Sequence, residues 1–263
     1  MMKRALLLLM LCAATARADA PTKLDVGLDE HLGAVVPRDL PFTDASGARV
    51  RLGDVLDGRH PVLLVMAYAR CQMLCSVVLE GVAEAVKASD LAPGVDYRLV
   101  VVSLDPNETL DEARERQTTL LSRIGHAGDR RAWRYFIGSA QPVAALARAL
   151  GFRYTWDERT KQYAHPAVVF VLTPTGRISA YVRGVRFADG ELEAALERAA
   201  AGGVGPSTTG DLLSCFHFDP ALAHYKSKIE IYFEIGAALV FFALAGAIVA
   251  LVVWERRRAR RPA

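Results

Sequence analysis

Val62-Leu63-Leu64-Val65-Met66-Ala67-Tyr68-Ala69-Arg70-Cys71-Gln72-Met73-Leu74-Cys75-Ser76 joins an unbroken apolar run to a pair of cysteines. A run of that length without a polar break suits a β-strand buried on both faces, as strands of a parallel sheet are. It stops at Arg70-Cys71. Beyond it, Val77, Val78, Val82, Ala85 and Val86 recur at helical spacing, and Pro93-Gly94 closes that helix. A second buried strand over 99–104 ends in Asp105-Pro106, and 109–121 reads as an amphipathic helix with Leu110, Ala113, Gln117 and Leu121 along one side. Strands joined through helices pair in parallel.

Working outward, 141–150 is a further helix stopped by Gly151. Residues 168–172 and 178–182 form a hairpin around Pro174-Thr175-Gly176, and 191–201 supplies a last helix before a Gly-rich linker over 202–210. On the N-terminal side, 19–60 is an extension rich in Pro, Gly and charge, with a short hairpin around 44–47. The order places 61–201 in the α/β class as a thioredoxin-like domain with an insertion.

The two ends carry addresses. Lys3 and Arg4 precede an apolar run over 5–14, and Ala16-Arg17-Ala18 has the small-x-small pattern that signal peptidase reads, so 1–18 is expected to be a signal peptide. Cys12 leaves with it. Residues 235–254 contain no charge and are long enough to cross about 30 Å of hydrocarbon at about 1.5 Å per residue, which predicts a transmembrane helix after a membrane-proximal segment over 202–234. Arg256, Arg257, Arg258, Arg260 and Arg261 in the tail 255–263 favour the cytoplasmic side, with Tyr232 and Trp254 at the two interfaces. The expected location is therefore the inner membrane, single-pass, with the body periplasmic. Of the formal charge of +3, the signal holds Lys3, Arg4 and Arg17 and the tail a net four, so the rest is acidic. An acidic body has no electrostatic footprint for nucleic acid.

Cys71 and Cys75 stand where a buried strand turns into a helix, whose N-terminal field favours thiolate, and Arg70 is expected to add to that field. A structural disulfide is natural in an exported protein. Closing a loop of about five residues, however, removes only about 2 kcal/mol of unfolded-state entropy, against about 3 kcal/mol for fifteen. A functional pair is the better reading. With Cys75 in the first helical turn, both sulfurs can reach one space and either close a disulfide or hold a soft metal. Thiolate with imidazole suits copper and zinc, and three protein ligands leave a site open enough to pass its metal on. His165, in Tyr163-Ala164-His165-Pro166 before the 168–172 strand, is the candidate third ligand, since in this fold that loop faces the cysteine turn. Taken alone, such a histidine is a loop residue with a satisfied hydrogen bond.

Tyr68 to Ser76, Val102-Ser103-Leu104-Asp105-Pro106, Leu150-Gly151-Phe152, Ala164-His165-Pro166 and Leu172-Thr173-Pro174-Thr175-Gly176 together resemble the Sco/SenC family of copper-delivery proteins, in register from about Pro37 to Ala200. The resemblance implies a thioredoxin-like domain in which Cys71, Cys75 and His165 bind Cu(I) or Cu(II). It also implies a role in loading the dinuclear copper centre of cytochrome c oxidase, or in keeping the cysteines of that centre reduced. The implied partners are the copper-bearing oxidase subunit, other copper chaperones or thiol reductants, and the membrane through the C-terminal helix. Many members carry proline after each cysteine, where this chain has Gln72 and Ser76, and many have an N-terminal rather than a C-terminal anchor.

A thiol-disulfide oxidoreductase that holds no metal is the alternative; it needs Cys71 and Cys75 but not His165. A thiol peroxidase would need a hydroxyl residue close before its cysteine, which Met66-Ala67-Tyr68-Ala69-Arg70 does not offer in Thr or Ser form. Asp105 reads as a turn residue or as support for a ligand. Cys215 and His217 lie beyond the domain and read either as a second metal contact or resolving thiol, or as packing beneath the anchor; His31, His60, His126 and His224 read as surface or packing residues.

Overall fold

The computed structural model describes residues 24–71, 74–125, 133–206, 216–219, 224–227, 235–236, 238–246, 249–250 and 253–254. The expected signal peptide, Cys215 and the arginine tail lie outside them, as does the side chain of Cys75.

The chain begins with β1 (Gly27–Leu28), β2 (Pro41–Asp44) and β3 (Arg49–Arg51), then a 3-10 turn over Leu52–Val55. β4 (Val62–Ala67) leads to α1 (Leu74–Ala88), and β5 (Arg98–Ser103) to α2 (Leu110–Ile124). β6 (Trp133–Ile137), α3 (Ala140–Ala149), β7 (Phe152–Arg153), β8 (Thr155–Asp157) and β9 (Gln162–Ala164) follow. β10 (Val168–Leu172), β11 (Ile178–Arg183) and α4 (Glu191–Ala200) complete the body, and β12 (Phe216–Asp219) pairs with β13 (His224–Ser227) beyond it.

One seven-stranded sheet organises the body, in the order β11-β10-β4-β5-β6-β2-β3. β4, β5 and β6 run parallel at its centre, while β10 and β11 on one side and β2 and β3 on the other are antiparallel. Every residue of β4 is buried, as are all but the first of β5. That explains the continuous apolar runs, since both faces of these strands are covered. Each Val or Leu so buried contributes about 1.5–3 kcal/mol of transfer free energy. α2 packs on α1 and β6, and α4 on β10 and β11.

Local chemistry sets the boundaries. Thr109 caps α2 by accepting from the Glu112 N–H, and Glu112 reaches back to the Thr109 N–H, so two orphan donors are satisfied. Gly125 ends the helix in the left-handed region at φ 80°. In the β2–β3 hairpin the Asp44 carboxylate accepts from the Ser46 and Ala48 N–H groups, which fixes the turn.

Two features depart from the sequence reading. β6 was not expected, because Arg134 interrupts the run Trp133-Arg134-Tyr135-Phe136-Ile137. The fold accommodates the cation with Asp44 at 2.9 Å and the ring of Phe136 at 4.9 Å. The β8–β9 hairpin, which lies between the 141–150 helix and the His165 loop, was likewise not anticipated.

Among the described residues no helix is long and apolar enough to cross a membrane. The span expected over 235–254 includes residues 237, 247, 248, 251 and 252, which lie outside them. The described parts of that stretch are helical, with Leu239, Phe241, Phe242, Leu244 and Val249 exposed.

Candidate metal centre

The topology brings two chain segments to one end of the sheet. β4 and β10 are antiparallel with Val65 opposite Val169 and Leu64 opposite Phe170. The C-terminal end of β4, from which Cys71 follows, therefore meets the N-terminal end of β10, which His165 precedes. A side-chain contact ties these ends directly. The Tyr68 hydroxyl accepts from the Tyr163 N–H at 3.2 Å, and the two rings meet edge to face at 5.5 Å. Cys71 lies three residues after Tyr68, and His165 two after Tyr163.

Cys71 is a buried thiol at 5% exposure. Its N–H donates to the Tyr68 carbonyl, and its own carbonyl accepts from the Ser76 hydroxyl at 3.1 Å. Cys75 is the second residue of α1, in the first turn as the sequence reading requires. His165 is buried at 3% exposure, and its ring lies 6.0 Å from that of Phe152. Nδ1 sits 2.9 Å from the Pro166 carbonyl. A carbonyl only accepts, so Nδ1 is the donor here, and in the neutral ring the lone pair is then on Nε2, the tautomer a metal-binding imidazole needs. Among the described residues no three His, Cys, Asp or Glu side chains cluster as metal ligands, a set that cannot include the Cys75 thiol.

Arg70 does not act as expected. Its Nε donates to Glu112 at 2.7 Å and its Nη2 to the Asn107 carbonyl at 2.9 Å, so its charge is matched by a carboxylate instead of being aimed at the thiols. Glu112 is held down to about 2 by hydrogen bonds from the Thr109 hydroxyl and N–H and from Arg70. Asp105 is a turn residue whose carboxylate accepts from the Asn107 N–H at 2.9 Å. His31 contacts the Ala149 carbonyl and His60 pairs with Asp57, so both are spent on local structure. His126 lies outside the described residues, and of His217 and His224 only the strand backbone is described.

Three supports escaped the sequence reading. Glu108, 6% exposed, lies under the turn that leads to Cys71 and accepts from the Ala69 N–H at 2.8 Å and the Ser103 hydroxyl at 2.7 Å. Burial raises its carboxyl above the usual range, with the charge of Asp105 adding, against the hydrogen bonds from Ala69, Ser103 and Tyr135. Tyr154, Trp156 and Tyr163 pack edge to face beside the His165 loop. The alternation Phe152-x-Tyr154-x-Trp156 was the available signal for them. Ser76 also accepts from Arg116 of α2 at 2.9 Å.

A parallel β4-β5-β6 core flanked by the β10–β11 hairpin, with a cysteine pair where β4 gives way to α1, defines a mixed α/β protein of the thioredoxin-like class. Within that class the chain belongs to the SCO1/SenC family, whose family model matches residues 32–201. An Aquifex aeolicus VF5 protein assigned to electron transfer is similar in structure, with 26% identity and a TM-score of 0.57 over 65% of this chain and 95% of that one. BsSco, described with a disulfide switch as a member of the Sco family of cytochrome c oxidase assembly proteins, is 17% identical with a TM-score of 0.51, over 66% and 97% of the two chains. Arabidopsis thaliana ScoI, solved with copper bound, is 17% identical with a TM-score of 0.49, over 64% and 97%. No curated protein matches the chain.

Proposed function

We propose that the chain is a copper-binding thiol protein of cytochrome c oxidase assembly in which Cys71, Cys75 and His165 hold copper as cargo. The observation that carries this reading is the contact of His165 Nδ1 with the Pro166 carbonyl. With Nδ1 the donor, the neutral ring keeps a lone pair on Nε2 for ligation, on a loop joined through Tyr163 and Tyr68 to the segment that bears Cys71. Family membership supports the same chemistry.

In this reading the two thiolates satisfy the softer Cu(I), and the imidazole adds the nitrogen donor that Cu(II) prefers. The same cysteines can close a disulfide, so the protein either passes copper to the dinuclear centre of the oxidase or reduces the cysteines of that centre. Burial of Cys71 and His165 keeps water and stray oxidants from the ligands. The body works in the periplasm, exported by residues 1–18 and anchored by 235–254. The exposed apolar side chains on the described helical parts of that stretch support the anchor.

Replacement of His165 separates copper chemistry from plain disulfide exchange. His165→Ala is expected to weaken Cu(II) retention by at least about a hundredfold, to weaken Cu(I) by about tenfold or less, and to leave Cys71–Cys75 disulfide formation nearly unchanged. Competition titration of the full chain in detergent, with thiol counting after oxidation, reads all three. Parent-like binding of both ions by the variant would overturn the metal reading and leave a thiol-disulfide oxidoreductase.

A further inference from the structure

The structure gives the Ser76 hydroxyl two hydrogen bonds that join the cysteine turn to α2. It donates to the Cys71 carbonyl at 3.1 Å and accepts from Nη2 of Arg116 at 2.9 Å. The guanidinium of α2 is thereby fixed two hydrogen bonds from the backbone of a candidate ligand. Arginine stays charged in proteins.

The cations nearby are otherwise matched. Arg70 pairs with Glu112, Arg114 with Asp111 and Arg123 with Glu80. Arg116 makes no ion pair among the described residues, and its Nε is buried without a hydrogen bond among them. Its positive charge is therefore not cancelled locally, and it lies on the side of the turn where α1 and α2 pack.

We propose that Arg116, held by Ser76, is a positioning residue whose fixed charge biases the Cys71, Cys75 and His165 site toward Cu(I) over Cu(II), an inference that rests on the copper reading above. Two thiolates and a neutral imidazole carry a charge of −2, so the Cu(I) site is net −1 and the Cu(II) site neutral. A nearby cation attracts the first and is indifferent to the second. Whatever Arg116 does to the metal-free site cancels in the ratio of the two affinities. A unit charge roughly 10 Å from a metal, at an effective dielectric of about 20, gives a preference on the order of tenfold.

The test is competition titration of the full chain in detergent with Cu(I) and Cu(II) separately, against chelators of known affinity, for the parent, Arg116→Gln, Arg116→Lys and Ser76→Ala. Arg116→Gln should lower the ratio of Cu(I) to Cu(II) affinity by about tenfold, equivalent to about 1.4 kcal/mol. Arg116→Lys keeps the charge and should hold the ratio within about threefold of the parent. Ser76→Ala releases the guanidinium and should move the ratio in the same direction as Arg116→Gln, by about threefold. A merely structural role would lower both affinities together, with no rescue by lysine, and that result would overturn the inference alone. So would an unchanged ratio in Ser76→Ala if Arg116→Gln fails to fold. A parent that retains neither ion would overturn the copper reading and this inference together.

Discussion

Glu108 shows how much of this site rests on a single buried carboxyl. It holds the Ala69 N–H two residues before Cys71, and burial raises it above the ordinary value of 4.5. Below that value it is protonated in both folded and unfolded chains, and its full stabilising contribution is present. As pH rises past 4.5 the unfolded chain ionises first, so the contribution shrinks until the folded-state value is passed and is constant beyond. Glu108→Gln removes this titration. Urea midpoints measured from pH 4 to 8 should therefore show the parent losing stability relative to the variant as pH rises, and a difference independent of pH would show that the carboxyl is not buried in solution. Cys71, Cys75 and His165 could be proposed as ligands from residue type, from the strand-to-helix turn and from the loop before β10. Glu108 and Arg116 could not be read that way, because each matters through a hydrogen bond to a residue 39 or 40 positions away. Arg70 was misjudged for the same reason, since Glu112 lies 42 positions on.

α1 is placed by a close approach that its sequence hides. Gly81 is buried in mid-helix, where glycine costs about 1 kcal/mol relative to alanine, so propensity alone predicts that Gly81→Ala stabilises. A Cβ there would meet the Val185 carbonyl oxygen at 2.1 Å, a backbone atom that cannot rotate away. Overpacking of that kind costs about 1–3 kcal/mol and outweighs the propensity gain. Gly81→Ala is expected to unfold at lower urea than the parent, with an unchanged slope; a higher midpoint would mean that the 184–187 segment yields freely. The apolar runs of β4, β5 and β10 were readable because both faces are buried. β6 was not, because its Arg134 is neutralised by Asp44 of β2, a strand 90 positions away. The β1–β7 pairing was equally unreadable: each strand is two residues long, and Arg153 holds β1 through Asp25 and Asp29.

The whole molecule asks on which side of a membrane the site works, and the charge distribution gives a testable answer. The five arginines after Trp254 resist translocation, whereas the segment before residue 235 carries no such cluster. In the topology proposed above, with 1–18 as an export signal and 235–254 as an anchor, the domain lies outside the cytoplasm and the tail inside. An oxidase copper centre served from that side would require this arrangement. A reporter active only outside the cytoplasm should work when fused after Ala201 and be silent after Ala263. The fusion after Ala201 lacks the apolar stretch and tests export alone, so it should be recovered with the soluble fraction, whereas the Ala263 fusion should sediment with membranes and resist extraction by salt or alkali. Activity at both points would mean that 235–254 does not stop in the membrane with the arginines inside, and silence at both would mean that the signal does not export. In either case the copper chemistry of Cys71, Cys75 and His165 would remain to be tested on its own, but its service to an oxidase centre outside the cytoplasm would lose its topological support.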